Sequence, residues 1–249
     1  MNKSDQNIVI IGACSAIAHA TARIWAGQGA NVLLVARNTE KLEIVKSDLI
    51  ARGANRVAVY DFDLSKIELY SNMYAFIDQE MPNFNLVLIA HAILGNQEQG
   101  RTDNQFLQKE LEINLLSPIF IANQLSKKLE QSKSGTLAVI SSVAGDRGRK
   151  SNYHYGTAKA ALNTYLQGLR NYLFESGVHV LTIKPGFVDT PMTANFKKGL
   201  LFVKPEVVAE GIVKAIEKKK EVVYLPNFWI LIMFIIKIIP EKIFKRLSI

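Results

Sequence analysis

The sequence holds almost nothing from which a disulfide or a metal centre could be built. Cys14 is the one cysteine in 249 residues, so no intramolecular disulfide can form. The histidines are His19, His91, His154 and His179, with no Cys or His pair at ligand spacing, and no metal is expected. A long hydrophobic run is also missing. The most apolar stretch, 228–236, is nine residues, against the ~20 that a bilayer-crossing helix needs. The opening MNKSDQ runs straight into an apolar segment too short and too poorly flanked for a secretory signal, and with the lone cysteine this sets a cytoplasmic expectation. Charged residues make up only 21%, while 49% are apolar and the mean hydropathy is +0.10. That balance excludes a disordered chain and supplies one large domain with a continuous core.

The formal net charge is +8, but it is not spread as a nucleic-acid-binding face requires. Residues 197–249 hold eleven Lys and Arg against five Glu, so most of the surplus lies at the C-terminus. There it is interleaved with bulky apolar residues, which points to a membrane surface before nucleic acid.

Runs rich in Val, Ile and Leu recur at 8–11, 32–36, 57–60, 86–90, 137–140, 178–183 and 221–225, predicting seven short strands. Most lack polar alternation, as strands covered on both faces do. Helical patterns separate them over 16–28, 38–52, 65–81, 104–131, 153–176 and 205–220. This alternation specifies an α/β fold: a doubly wound, Rossmann-type parallel sheet of about seven strands with helices on both faces, followed by a hydrophobic basic tail. The body spans 1–225; the segment 226–249 is expected to associate with a membrane or to contact a partner subunit.

The first strand runs into GACSAIAHA, residues 12–20. The turn through Gly12, Cys14, Ser15, Ala16 and Ile17, mostly of small residues, lets backbone approach a ligand, and the free N–H groups of the following helix can hold a pyrophosphate. An ordinary tight turn reads similarly, and Ala16 and Ala18 stand where a glycine-rich fingerprint has glycines. The second strand ends in Ala36-Arg37-Asn38, with no acid for an adenosine 2′-hydroxyl. Arg37 offers a cation for a 2′-phosphate, so NADP(H) is preferred over NAD(H). Asp63-Leu64, after the third strand, borders the adenine or simply caps a helix.

Tyr155 and Lys159 lie four apart on a predicted helix, hence one turn apart on one face. An ammonium beside a phenol favours the phenolate and makes a proton donor or acceptor. Ser142 ends the fifth strand, at the sheet edge where such folds place ligands. With these residues in view the chain resembles the short-chain dehydrogenase/reductase family over residues 7–225, carrying GACSAIA, Asp63-Leu64, Asn114, SSVAG, YGTAK and KPGFVDT in the family's order. The resemblance implies a carbonyl/alcohol interconversion. Tyr155 would protonate the carbonyl oxygen as hydride arrives from the nicotinamide, with Ser142 hydrogen-bonded to that oxygen. Lys159 would lower the Tyr155 pKa and hold the ribose, and Asn114 would position Lys159 through a water. Pro185, Gly186, Val188 and Thr190 match the segment bordering the nicotinamide. Ala90, His91, Ala92 and Ile93 stand where the family has Asn-Asn-Ala-Gly, with His91 expected to replace a structural polar group.

The stretch SSVAGDRGRKSNYHYGTAKAAL and the tail look most like the branch of decaprenylphosphoryl 2-keto-pentose reductases and related polysaccharide-pathway oxidoreductases. Asp146, Arg147, Arg149 and Lys150 place charge beside the site mouth, either for a phosphate or as a solvated loop. In the tail, Phe228 and Trp229 with Lys237, Lys242, Lys245 and Arg246 fit an interfacial anchor on the cytoplasmic face of a membrane. The expected partners are a small-molecule or lipid-linked ketone and a membrane surface, with no nucleic acid; a homodimer through the tail is the alternative. Two rival functions stay open: a long-chain 3-keto-lipid reductase, and a nonenzymatic nucleotide-binding or membrane-scaffold protein.

Overall fold

Seven parallel strands order the molecule. In the computed structural model, which describes residues 6–247, they are β1 (Asn7–Ile11), β2 (Asn31–Ala36), β3 (Arg56–Asp61), β4 (Leu86–Ile89), β5 (Thr136–Ile140), β6 (His179–Pro185) and β7 (Val222–Leu225). Their spatial order is β3-β2-β1-β4-β5-β6-β7. Ile10 of β1 stands opposite both Leu34 of β2 and Leu88 of β4, so the winding reverses beside β1. The carboxyl ends of β1 and β4 therefore open a crevice at the topological switch point.

The uninterrupted apolar runs are explained by burial on both faces. Alternate strand residues point to opposite sides. Ile8, Ile10, Leu34, Leu88 and Ile183 meet α1 (Ala16–Ala26), α2 (Thr39–Ala51) and α8 (Pro205–Glu217). Val9, Ile11, Leu33, Val87 and Val139 meet α3 (Tyr70–Glu80), α6 (Ser117–Gln131) and α7 (Tyr153–Leu173) on the other. Fully burying one such side chain contributes roughly 1.5–3 kcal/mol.

Three departures from the periodicity matter for the site. The predicted helix over 104–131 is α5 (Asn104–Leu111), a π turn (Glu112–Leu116) and α6. Pro118 has no N–H to give the carbonyl of Asn114 four residues back, which breaks the α pattern where Asn114 sits. Secondly, α4 (Gln97–Thr102) was not expected: QEQGRT lacks an apolar face, and the helix forms because the Asn96 side chain accepts from the amides of Glu98 and Gln99. Thirdly, the predicted 65–81 helix begins later, as a 3-10 turn at Ile67–Leu69 leading into α3.

After β7 the tail turns back over the body as α9 (Trp229–Ile238) and α10 (Glu241–Phe244). Trp229, Met233 and Ile236, one helical face, are buried with Phe244 in a small cluster over Val143 and Phe187. Arg147 holds this docking by donating to the carbonyls of Ile236 (3.0 Å), Lys237 (3.0 Å) and Ile239 (2.7 Å), while its guanidinium stacks on Phe244. No helix among the described residues is long and apolar enough to cross a membrane.

Candidate active site

The crevice is a groove of about 840 Å³ along the carboxyl ends of the strands. At its centre the chain turns from β1 into α1 through Gly12, whose φ is +82°. A Cβ there would lie 2.6 Å from the backbone nitrogen of His91, so glycine is required both by conformation and by the close approach of the two segments. Cys14, Ser15, Ala16 and Ile17 line the groove beside it. The Ser15 hydroxyl caps nothing, and no acid occupies the first turn of α1, which leaves an anion-receptive helix start. The two alanines differ: Ala16 faces the groove, whereas Ala18 is fully buried in the core beneath α1.

At one end of the groove Arg37 is joined by Lys41 and Asn38. Neither neighbour was flagged by the sequence pattern; both follow from Asn38, which takes a positive φ of 85° and caps Lys41, folding α2 back toward the opening. Asp61, the nearest acid at the strand ends, is bonded to the Thr39 hydroxyl and the Asn38 amide. Asp63 lines the groove with Leu64. Its burial opposes ionisation, but the amide and hydroxyl of Ser65 and the Arg37 cation outweigh this and hold the carboxyl below its ordinary value.

At the other end stand Ser142, Tyr155 and Lys159, with Pro185, Gly186, Val188 and Thr190 opposite. Ser142 is placed by the end of β5 and a 3-10 turn whose Ala144 amide it accepts (3.1 Å). Tyr155 and Ser142 line the same end of the groove. Burial pushes Tyr155 up to about 12; Ser142 and the Arg149 guanidinium pull against it. Lys159, 1% exposed, lies over the Tyr155 ring with its ammonium 5.6 Å from the centroid and donates to the carbonyl of Ile140 (3.2 Å). Burial lowers Lys159 to about 8. The pair is thus a neutral phenol above a desolvated ammonium, and Arg149 is a second cation that the motif alone did not mark.

Asn114 lies just behind the groove, 1% exposed, and its side-chain oxygen accepts the amide of Ile93 (2.9 Å). It thereby secures the Ala90–His91–Ala92 segment, which does line the groove. His91 is anchored in a chain of hydroxyls: its Nε2 meets Ser117 Oγ (2.7 Å), which meets Tyr70 (2.5 Å), whose hydroxyl donates to the Leu64 carbonyl (2.7 Å). Because Tyr70 spends its proton on that carbonyl, Ser117 donates to Tyr70 and His91 Nε2–H donates to Ser117. Nδ1 is then a bare, buried acceptor. Burial and the nearby Lys159 hold His91 down at about 3, so it is neutral. The charged residues after Ser142 also separate: Asp146 binds Lys184 (2.6 Å) and Tyr224 (2.6 Å), Arg147 holds the tail, Arg149 is buried and Lys150 is exposed.

A profile of the short chain dehydrogenase family matches residues 6–200. The chain belongs to that family. An uncharacterised oxidoreductase of Mycobacterium tuberculosis is 33% identical over 242 residues, 96% of each chain. One of Streptomyces coelicolor is 30% identical over 243 residues, 97% of this chain and 96% of the relative. Neither name states a substrate. In fold, the chain is similar to a short-chain dehydrogenase from Sphingobium yanoikuyae in complex with NADPH, with a TM-score of 0.81 at 18% identity over 91% of this chain and 92% of that one. Levodione reductase matches with a TM-score of 0.82 at 20% identity, covering 91% and 98%. Both curated relatives are named as oxidoreductases, in keeping with the family.

The unusual His91 generates a test. Folded, it stays neutral down to about pH 3, whereas the unfolded chain protonates it near ~6.5. Its contribution to stability is therefore whole above ~6.5 and is lost as pH falls below that value. The drop in melting temperature between pH 7 and pH 5 should be smaller in His91→Asn than in the wild type; an equal drop would show that this imidazole is not the buried neutral group described.

Proposed function

We propose that the protein is an NADP(H)-dependent reductase that converts a keto group to an alcohol, or the reverse, on a membrane-borne substrate such as a lipid-linked sugar, working from the cytoplasmic membrane surface. The observation that carries this reading is the position of Tyr155, which lines the dinucleotide-sized groove on one side and a separate cavity on the other. A carbonyl in that cavity meets the phenol of Tyr155, which lines the groove together with Ser142.

The groove fits a dinucleotide: a glycine cradle and free helix start at the centre, cations at the Arg37 end, and Lys159 beneath the Pro185–Gly186 wall. Bound there, the nicotinamide supplies or accepts hydride. Ser142 holds the carbonyl oxygen and Tyr155, neutral because it is buried, delivers its proton to that oxygen. Lys159 stabilises the phenolate left behind and would hold the ribose of the bound cofactor. Asn114 positions Lys159 through a water and fixes the segment after β4. Gly12, Cys14, Ser15, Ala16 and Ile17 would take the diphosphate, Asp63 and Leu64 the adenine, Ala90 to Ala92 the adjoining ribose, and Pro185, Gly186, Val188 and Thr190 the nicotinamide.

The surface of α9 supports the membrane half of the proposal. While Trp229, Met233 and Ile236 face inward, Ile230, Leu231, Phe234, Ile235 and Ile238 are each at least half exposed, an apolar face flanked by Lys237, Lys242 and Lys245. Each cation near an anionic leaflet contributes about 1 kcal/mol. A 3-keto-lipid substrate draws on the same face and is the second reading.

Three measurements test this. Tyr155→Phe should cut ketone-dependent NADPH oxidation by roughly 10²–10⁴-fold while NADPH still binds; undiminished turnover would leave the scaffold reading in its place. Arg37→Ala and Lys41→Ala should each weaken NADPH about tenfold or more, with little change for NADH, since each removes one charge-assisted contact. An equal loss for both cofactors would overturn the 2′-phosphate assignment. Leu231→Glu with Phe234→Glu should release the protein from phosphatidylglycerol vesicles at low salt. If the wild type ignores vesicles and instead forms a dimer that this pair breaks, the face is a subunit contact.

A further inference from the structure

The turn after β6 forms one wall of the groove, opposite Ser142, Tyr155 and Lys159, and at Gly186 that wall is bare backbone. The tail lies against it. A Cβ on Gly186 would come within 1.9 Å of Trp229 Cε2 and Nε1 and 2.5 Å of Cζ2, so the indole edge rests on the main chain of the wall. Gly186 has no positive φ; it is the space taken by the indole, and not the conformation, that excludes a side chain there. The next residue, Phe187, meets the same indole edge-on with ring centroids 5.5 Å apart and also stacks on Phe202 (5.2 Å).

Trp229 is held by shape. It is 2% exposed, and its Nε1–H has no hydrogen-bond partner, which costs about 1–3 kcal/mol. Packing with Val143, Met233, Ile236 and Phe244 keeps it in place despite that cost. Arg147 clamps the far end of α9, where its guanidinium meets the partial negative charge of the last carbonyls. The Arg147 side chain is 15% exposed, so these bonds are shielded from water, whereas its ion pair with Glu241, 76% exposed, adds little.

These contacts reach both sides of the groove. Val143 and Arg147 follow Ser142 by one and five residues in the same loop, while Gly186 and Phe187 belong to the opposite wall. An anchor alone would need the outward face of α9 but no contact with Gly186. We infer that the tail is a brace that sets the width of the groove at its Tyr155 end, with Trp229 and Arg147 as positioning residues for a nicotinamide. The inference rests on the cofactor reading for what lies in the groove; the brace itself rests on the contacts. Reacting atoms must sit about 3–3.5 Å apart, and a misplacement of ~1 Å costs about 10²-fold, so a wall one backbone thick depends on what stands behind it.

The test uses the full chain and two probes: NADPH, which spans the groove, and adenosine 2′,5′-bisphosphate, which carries only the end that Arg37 would hold. Trp229→Ala should weaken NADPH about tenfold and leave adenosine 2′,5′-bisphosphate within about twofold, with Trp229→Phe nearer the wild type. Arg147→Met, which cannot bond the carbonyls of α9, should move NADPH in the same direction. Excitation of tryptophan should give nicotinamide emission that falls in Trp229→Phe, where Trp25 is the donor left. Unchanged NADPH affinity in Trp229→Ala, or equal weakening of both probes, would overturn the inference. A second arm needs no cofactor. Gly186→Ala should lower the melting temperature because its methyl meets the indole, and in a Trp229→Ala background the same change should cost about half as much or less. Additive losses would overturn the brace while leaving the cofactor reading intact. Coupled losses in a protein that binds neither probe would overturn the cofactor reading, and with it the placing of a nicotinamide.

Discussion

A parallel sheet covered on both faces leaves chemistry one place to happen. Every strand of this protein ends on the same edge, and both faces are filled by helices, so the loops at that edge alone can bring distant segments together. Gly12 is where this constraint is tightest. The turn after β1 and the segment after β4 touch there, too closely for a side chain. The position of His91, the Ser117–Tyr70 hydroxyl chain behind it and the hold of Asn114 on Ile93 all follow from that contact.

Burial sets the electrostatics of the edge. Tyr155, Lys159, His91, Arg149 and Glu110 are all pushed toward their neutral forms by loss of water. The consequence is a phenol that keeps its proton until a phenolate is stabilised, an imidazole that carries no charge near neutral pH, and a guanidinium exposed to little but a cavity. Such groups are strained in energy relative to water and are relieved by ligands of matching polarity.

The tail changes meaning once it is seen against the body. Its inward face packs on Val143 and Phe187 and forms one wall of the outer cavity, held by Arg147; its outward face remains apolar and rimmed by lysines. The π turn works similarly on a smaller scale, since it lets one long helical rod present Glu110 to the cavity and Asn114 to the segment after β4.

Periodicity and motif spacing made much of this legible. Seven unalternating apolar runs, the small-residue turn at Gly12, Arg37, Ser142, Tyr155 and Lys159 are local patterns, and local patterns follow from chain geometry. Each of the groove residues anticipated from the sequence lines the observed groove, with Asn114 standing behind it. Other features had no local signature. Lys41 reaches the groove because Asn38 turns α2 back, Glu110 and Trp229 come from segments 119 residues apart, and Arg149 is buried where the adjacent Lys150 is exposed. The amino-acid sequence by itself determined the sheet, its winding and the spacing of Ser142, Tyr155 and Lys159, because these depend on which side chains repeat at what interval. Tertiary structure alone decided which cations are buried, which polar atoms lack partners and which face of the tail is free, because burial and pairing depend on neighbours brought together only when the sheet closes its crevice.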